Sequence, residues 1–145
     1  MAKDIFTETE QQLVRDAIQD AELNTSGEVK IHIERKCKGE TMDRASFVFE
    51  QLEMHKTKLR NSVLIYLAIE DREFAILGDT GINQKLPEDF WNSTSLLMLE
   101  YFKKGDFVGG LVAGAKEAGQ QLKAHFPYRK GNINELSDDI SFGKN

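Results

Sequence analysis

The sequence is poor in the features that mark disulfide-bonded, membrane-spanning or nucleic-acid-binding proteins. It has a single cysteine, Cys37, so no intramolecular disulfide can form within its 145 residues. Its longest apolar run, residues 63–69, is far shorter than the roughly 20 residues that a membrane-spanning helix needs. The formal net charge is −5, which argues against a general nucleic-acid-binding protein because such proteins need a basic face.

The remaining composition is that of one soluble globular domain. Hydrophobic residues make up 40% of the chain and charged residues 30%, which are ordinary proportions for such a domain. Residues 1–6 contain no apolar signal region, and no heptad pattern indicates a coiled coil. We therefore expect a cytoplasmic monomer that does not insert into a membrane and has no nucleic-acid partner.

Hydrophobic periodicity predicts an α/β domain with the element order helix, strand, helix, strand, strand, helix, helix. The predicted strands are 28–35, 62–69 and 73–77, and the predicted helices are 7–23, 42–57, one from Pro87 to about residue 102 and one that Asp106 caps. The first strand alternates apolar and polar residues, which predicts one buried and one solvated face. The second is almost continuously apolar, which predicts a central strand covered on both faces.

The C-terminal residues differ in character from the rest of the chain. Residues 129–145 are mostly polar and contain few apolar side chains. Such a segment cannot bury enough apolar surface to hold itself in place. We therefore predict a domain over residues 1–128, followed by a mobile polar tail over residues 129–145.

The predicted connections bring three polar loops to one edge of the sheet. A helical crossover makes the first two strands parallel, and the short turn at 70–72 makes the third antiparallel to the second. The shared edge then carries Glu28, Asn61 and Asp79, while Asp71 lies at the opposite edge. Carboxylate and amide oxygens on such turns are ligands for Ca²⁺ and Mg²⁺. The simpler interpretation is that these residues only cap elements and close turns.

An ordered set of segments resembles the TPM domain family. The matching segments are 61–68, 70–72 and 76–82, with 25–29 upstream and 102–111 downstream. The resemblance covers roughly residues 8–126. It implies a three-layer α/β/α sandwich with a small mixed sheet and about four helices. The family is often labelled as phosphatases, and some of its members have divalent-cation sites.

The sequence departs from the family pattern in three respects. Ser62 follows Asn61 where the family often has glycine, and Asn83 stands where an acidic residue commonly follows the glycines. The second departure would remove one carboxylate from a cation site. Many members are tethered to a membrane or act in thylakoid compartments, whereas this sequence shows neither a signal segment nor an anchor.

No complete catalytic signature is present. Cys37 and Arg44 are separated by one residue more than the phosphate-binding loop of cysteine phosphatases allows, and two acids lie between them. Asp71 and Glu73 have the spacing of an aspartate-nucleophile pair, but a hairpin turn explains them better. The three histidines lie on separate predicted elements without metal-ligand spacing. The sequence therefore assigns no catalytic residue and leaves open whether the protein is an enzyme.

Three functional hypotheses follow from these observations. The first is a non-catalytic or weakly catalytic interaction module that binds Ca²⁺ or Mg²⁺ through Glu28, Asn61 and Asp79, with Asp71 serving a second cation. The alternative is a metal-assisted phosphatase for phosphate monoesters, in which Glu28 and Asp79 hold Mg²⁺ and Arg60 offsets substrate charge. The third is a scaffold whose unidentified protein partner binds the acidic rim or the tail. The lack of a positioned nucleophile places the first hypothesis ahead.

Overall fold

The fold is centred on a mixed sheet in the computed structural model, which describes residues 2–128 and 135–143. Within these residues the sheet has four strands: β1 (Glu28–Glu34), β2 (Ser62–Ala68), β3 (Glu73–Gly78) and β4 (Ser141–Phe142). Their order is β3-β2-β1-β4, with β1 parallel to β2 and β4, and β3 antiparallel to β2. The predicted pair of parallel strands with a hairpin strand is confirmed, and β4 is an addition.

Helices cover both faces of the sheet. The described residues form five: α1 (Glu8–Glu22), α2 (Thr41–Gln51), α3 (Thr80–Asn83), α4 (Asn92–Lys103) and α5 (Phe107–His125). Helices α1, α4 and α5 pack on one face, and α2 packs on the other. This is the predicted three-layer α/β/α sandwich, with α3 as a single turn that the sequence pattern does not reveal. None of the described helices is both long and apolar enough to span a lipid bilayer.

The helix boundaries follow local hydrogen bonding. Thr7 and Glu10 form the predicted capping box, with the Glu10 amide 3.1 Å from the Thr7 hydroxyl. Asp106 caps α5 by accepting from the Gly109 amide at 2.8 Å. The second predicted helix, 42–57, ends at residue 51 because Glu53 adopts a left-handed backbone conformation with φ 59°. Residues 87–91 form turns, so α4 begins later than Pro87 suggests.

Strand β2 is the central strand that its sequence predicts. All seven of its residues are buried. Side chains at alternate positions point to opposite faces, so Val63, Ile65 and Leu67 join the core under α1, α4 and α5. Leu64, Tyr66 and Ala68 join the second core under α2. Burial on both faces explains why this strand has no polar period.

Strand β1 differs from the prediction of one solvated face. Its polar side chains Lys30, His32 and Glu34 are 8%, 5% and 0% exposed, respectively. The alternation correctly indicates a strand, but this polar face is covered by α2 and by residues 135–143. A period of two shows which side chains share a face and does not show whether water reaches that face.

Part of the predicted mobile tail packs against the domain instead. Ser141 and Phe142 pair with His32 and Ile33 of β1, and Ile140 is 7% exposed within the main core. Lys30 donates from its ammonium to the carbonyl oxygens of Ser137 and Asp139. Polar groups of the sheet therefore hold a segment that has little apolar surface of its own. Residues 129–134 and 144–145 of that prediction lie outside the described residues.

Helix α5 lies close to its neighbours because of its glycines. A Cβ atom on Gly119 would lie 2.6 Å from both the Cα and the carbonyl oxygen of Ala21 in α1. A separation below 3.0 Å between these atoms forces the backbones apart. The glycines weaken the helix intrinsically, yet they allow α1 and α5 to approach each other.

We predict that Gly119→Ala lowers the free energy of unfolding by about 1–3 kcal/mol, because overpacking outweighs the gain in helix propensity. Chemical denaturation monitored by circular dichroism measures this change. The neighbouring exposed residue supplies the control, since Gln120→Ala should alter stability by less than about 0.5 kcal/mol. A Gly119→Ala protein as stable as the parent would contradict the close-packing account.

Candidate functional site

Three loop ends lie at one edge of the sheet, as the topology requires. Glu28 at the start of β1 is opposite Ser62 at the start of β2. Gly78 at the end of β3 is opposite Val63 of β2. This edge, which includes the loop residues Asn61 and Asp79, is where the sequence predicts a cation site.

Asp79 is held by protein groups at this edge. Its carboxylate accepts two hydrogen bonds from Arg60, at 2.7 Å from Nε and 2.9 Å from Nη2. It also accepts from the Thr80 amide at 2.7 Å, which caps α3. The side chain is 3% exposed and its charge is neutralised by the guanidinium. Asp79 therefore joins the loop before β2 to the turn after β3.

Asn61 and Asp71 also have structural partners. The Asn61 side chain is 2% exposed, and its Nδ2 donates to the Ser26 hydroxyl at 3.2 Å. Asp71 lies at the opposite edge, where its Oδ2 accepts from the Cys37 amide at 2.6 Å. The Asn61–Ser26 contact joins the loops that precede β1 and β2. The Asp71–Cys37 contact joins the loops that follow these two strands.

The predicted cation ligands thus have partners within the protein. Glu28 Oε1 accepts from the Leu136 amide at 2.6 Å, so it points toward the C-terminal segment rather than toward Asn61 and Asp79. Within residues 2–128 and 135–143, no group of three or more His, Cys, Asp or Glu side chains is arranged to hold a metal ion. Cation binding to Glu28, Asn61 and Asp79 together would have to displace these hydrogen bonds.

A second carboxylate joins Glu28 at the start of β1. Glu22, the last residue of α1, accepts from the Val29 amide at 2.9 Å through Oε2. Its carboxyl group also hydrogen-bonds to the side chain of Asp138. Glu22, Glu28 and Asp138 are called the acidic cluster below. The sequence pattern gives no signal for it, because its members come from a helix end, a strand and a segment predicted to be mobile.

The electrostatics of the acidic cluster are unfavourable for ionised carboxylates. Burial, the hydrogen bond that the protonated Glu22 carboxyl group donates to Asp138, and the nearby charges of Asp138 and Glu28 raise the pKa of Glu22 to about 9. Burial likewise raises the pKa of Glu28. The nearby Lys30 ammonium is itself buried, and this burial lowers its pKa. The acidic cluster therefore holds at least one proton at neutral pH.

A second polar group, centred on Glu34, lies under α2. Glu34 accepts from Arg44 Nε at 3.0 Å and from the Tyr66 hydroxyl at 2.6 Å. His32 Nε2 lies 3.2 Å from Glu34 Oε1, and its Nδ1 lies 2.7 Å from the Ser141 hydroxyl. The arrangement has the order serine, histidine, carboxylate. However, the imidazole is buried and the carboxylate serves two other donors, so its evident role is to fasten β4 and α2 to the sheet.

The Glu34 group gives a prediction about acid stability. Burial opposes ionisation of Glu34, but the hydrogen bonds from Arg44, Tyr66 and His32 outweigh it and lower its pKa to about 2. Because the folded-state pKa lies below the unfolded value, this stabilisation is present above pH 4.5 and is lost as the pH falls toward 2. Glu34→Gln should therefore lower the free energy of unfolding by about 3 kcal/mol at pH 7.

Denaturation of both proteins between pH 7 and pH 2.5 measures this effect. The difference between parent and Glu34→Gln should shrink as the pH falls. Glu50→Gln, at an exposed position of α2, provides a matched control and should show no such trend. A stability difference that stays constant with pH would mean that the charge of Glu34 is not what stabilises the fold.

The architecture and its polar groups define a small α/β/α sandwich domain. The chain matches the family model of the TPM domain over residues 2–121. It therefore belongs to the TPM domain family, which confirms the resemblance described above.

Solved structures of similar proteins agree with this assignment. The BA42 protein from the psychrophilic bacterium Bizionia argentinensis is 46% identical, with a TM-score of 0.89 and 95% of each chain covered. The N-terminal domain of cg2496 protein from Corynebacterium glutamicum is 14% identical, with a TM-score of 0.65 over 90% of this chain and 81% of that chain. The second similarity shows the fold alone. Among curated proteins, none matches the chain.

Proposed function

We propose that this TPM domain is a divalent-cation-binding interaction module, non-catalytic or weakly catalytic, whose acidic cluster takes up Ca²⁺ or Mg²⁺. The observation that supports this proposal is the crowding of Glu22, Glu28 and Asp138. Burial, the hydrogen bond to Asp138 and the neighbouring carboxylates raise the pKa of Glu22 to about 9, so a cation bound there would stabilise its ionised form.

The three carboxyl groups of the acidic cluster are not arranged to hold a metal ion in this structure, but they are donors of the type that a hard cation prefers. Ca²⁺ and Mg²⁺ bind carboxylate and carbonyl oxygens, and the carbonyls of Ser137 and Asp139 lie close by, where they accept from Lys30. A cation would replace the proton shared by Glu22 and Asp138. Glu28 would have to release the amides of Leu136 and Glu135 to take part.

Cation binding at this place would act on the C-terminal segment. Asp138 belongs to residues 135–143, whereas Glu22 and Glu28 belong to α1 and β1. A cation bridging them would hold that segment more firmly against the sheet. An ion that joins parts of the chain in this way can control a binding surface without any chemical step, and this favours an interaction module over an enzyme.

Of the predicted ligands Glu28, Asn61, Asp79 and Asp71, only Glu28 belongs to the proposed site. Asn61 and Asp79 act here as structural residues of the sheet edge. A second cation at Asp71 stays a prediction, since this carboxylate contacts the Cys37 amide. The alternative, a metal-assisted phosphatase acting on phosphate monoesters, has less support because the Arg60 guanidinium is engaged by Asp79.

Titration of the ¹⁵N-labelled chain with CaCl₂ and then MgCl₂ tests cation binding. We expect saturable amide shifts at residues 22, 28–29 and 136–139. Glu22→Gln combined with Glu28→Gln should weaken binding by at least about ten-fold, because two of the three carboxyl groups can then no longer ionise to bind the cation. Asp71→Asn, a matched change at the opposite edge, should leave these shifts unchanged.

The same titration separates the competing assignments. Saturable shifts confined to residues 60–62 and 78–82 would move the site to the sheet edge at Asn61 and Asp79. Shifts that do not saturate would reject cation binding. Hydrolysis of p-nitrophenyl phosphate by the same sample, abolished by Asp79→Ala, would instead support the phosphatase alternative.

The raised pKa of Glu22 predicts how stability depends on pH. Between about pH 4.5 and 9 the unfolded chain has released this proton and the folded chain has kept it. The free energy of unfolding therefore falls as the pH rises, with a slope that approaches about 1.4 kcal/mol per pH unit. Glu22→Gln should remove this slope, so the variant should gain stability relative to the parent from pH 5 to pH 8. Identical pH profiles in denaturation experiments would contradict the protonated state of Glu22.

A further inference from the structure

Strand β3 has one edge that no described strand pairs with. The strand order places β3 at the end of the sheet, with β2 on its inner side. The other end of the sheet differs, since β4 there adds to β1. An unpaired strand edge presents main-chain donors and acceptors that can pair with another extended chain.

The hydrogen-bond register shows which groups face outward. The Asp79 amide donates to the Ser62 carbonyl at 3.0 Å, so this pair is of the hydrogen-bonded type. Along an antiparallel ladder, hydrogen-bonded pairs alternate with non-hydrogen-bonded pairs, so every second residue of β3 points its main-chain groups toward β2. The main-chain groups of Ala75 and Leu77 therefore point toward β2, while those of Phe74 and Ile76 point to the open edge.

A groove runs along this open edge. Its cavity has a volume of about 360 Å³ and lies between the start of α2, the middle of β3 and the start of α4. Phe74 and Ile76 line it together with Met42, whose side chain is 42% exposed. Trp91 forms part of the wall, and its indole N–H is buried without a hydrogen-bond partner among the described residues. Apolar walls with a few polar groups are typical of a binding groove.

The charges around the groove have one sign. Glu40 and Glu88 line it, and no lysine, arginine or histidine does so within the described part of the chain. Glu73 at the start of β3 adds a third carboxylate, which accepts from the Thr41 hydroxyl at 2.6 Å. A ligand that fits this surface should carry positive charge, because complementary potentials favour the encounter and the orientation of partners.

We propose that the β3 groove docks an extended segment of a partner protein in which lysine or arginine residues alternate with apolar residues. The segment adds to the sheet as a further strand beside β3 and pairs with the main-chain groups of Phe74 and Ile76. Because successive side chains of a strand point to opposite faces, its apolar side chains lie on the α2 face, against Met42, and its basic side chains lie on the α4 face, where they meet Glu88. This docking does not depend on cation binding by the acidic cluster.

Two synthetic peptides of about seven residues, long enough to pair along β3, provide the probe. One alternates valine with lysine and the other alternates valine with glutamate, both with blocked ends. Each is titrated into the ¹⁵N-labelled full chain while amide shifts and hydrogen exchange are followed. We expect saturable shifts along residues 73–78 with the lysine peptide and slowed exchange at the amides of Phe74 and Ile76.

The charge of the peptide and the position of a charge change in the protein provide two independent controls. The glutamate peptide should bind at least about ten-fold more weakly, and Glu88→Lys should weaken the lysine peptide about three- to ten-fold. Glu100→Lys, an equal charge change at an exposed position further along α4, should leave its affinity unchanged. Both variants alter exposed residues, so folding is not at risk.

Several results would overturn the proposal. Equal binding of the two peptides, shifts that leave residues 73–78 unaffected, or no saturation by the lysine peptide at about 1 mM would each reject basic strand addition at β3. Concentration-dependent shifts along β3 without peptide would assign the edge to a second copy of the chain instead.

Discussion

The constraint on which this fold most depends is the burial of the polar face of β1. Glu28, Lys30, His32 and Glu34 all lie on that face and are at most 8% exposed. A buried charge without a partner costs several kcal/mol, so each of these groups needs a specific partner. Arg44 from α2 supplies one of them, and the others come largely from residues 135–143. The positions of α2 and of the C-terminal segment are therefore set by hydrogen bonding as much as by apolar packing.

The two faces of the sheet consequently differ in character. The face under α1, α4 and α5 is an apolar core in which small residues allow close helix contacts. The opposite face combines the smaller apolar cluster under α2 with the polar groups of β1. The acidic cluster and the Glu34 group lie at the two ends of this polar face. Strand β1 thus carries both Glu34, whose pKa is strongly lowered, and Glu28, a member of the acidic cluster.

Much of the fold could be predicted from the sequence, because its signals are local. The continuous apolar run of β2, the short turn before β3 and the caps Thr7 and Asp106 each depend on neighbouring residues. The polar face of β1 could not be judged in the same way, since alternation does not reveal what covers a face. The short strand β4 has only two residues and carries no periodic signal.

The candidate site was harder to predict than the fold. Topology correctly brings Glu28, Asn61 and Asp79 to one edge, but it cannot show that Arg60 and Ser26 engage two of them. Glu22 is an ordinary helix-terminal acid in the sequence, and Asp138 belongs to a segment that composition describes as mobile. Their proximity depends on the long-range packing of residues 135–143, which local patterns do not encode. The family model and the similarity to BA42 over 95% of both chains identify the family, but they do not identify these side-chain contacts.

The parallel addition of β4 to β1 has a consequence for the order in which the protein assembles during synthesis. Residues 141–142 pair with residues 32–33, so β1 is synthesised more than 100 residues before the strand that pairs with its outer edge. Most of the apolar core can form once α5 has left the ribosome, because its buried members other than Ile140 all precede residue 126. The polar face of β1 stays open to water until residues 135–143 have been made. During synthesis, a chain that ends at α5 therefore has a nearly complete apolar core but lacks the partners of Glu28, Lys30 and His32, which residues 136–141 supply later.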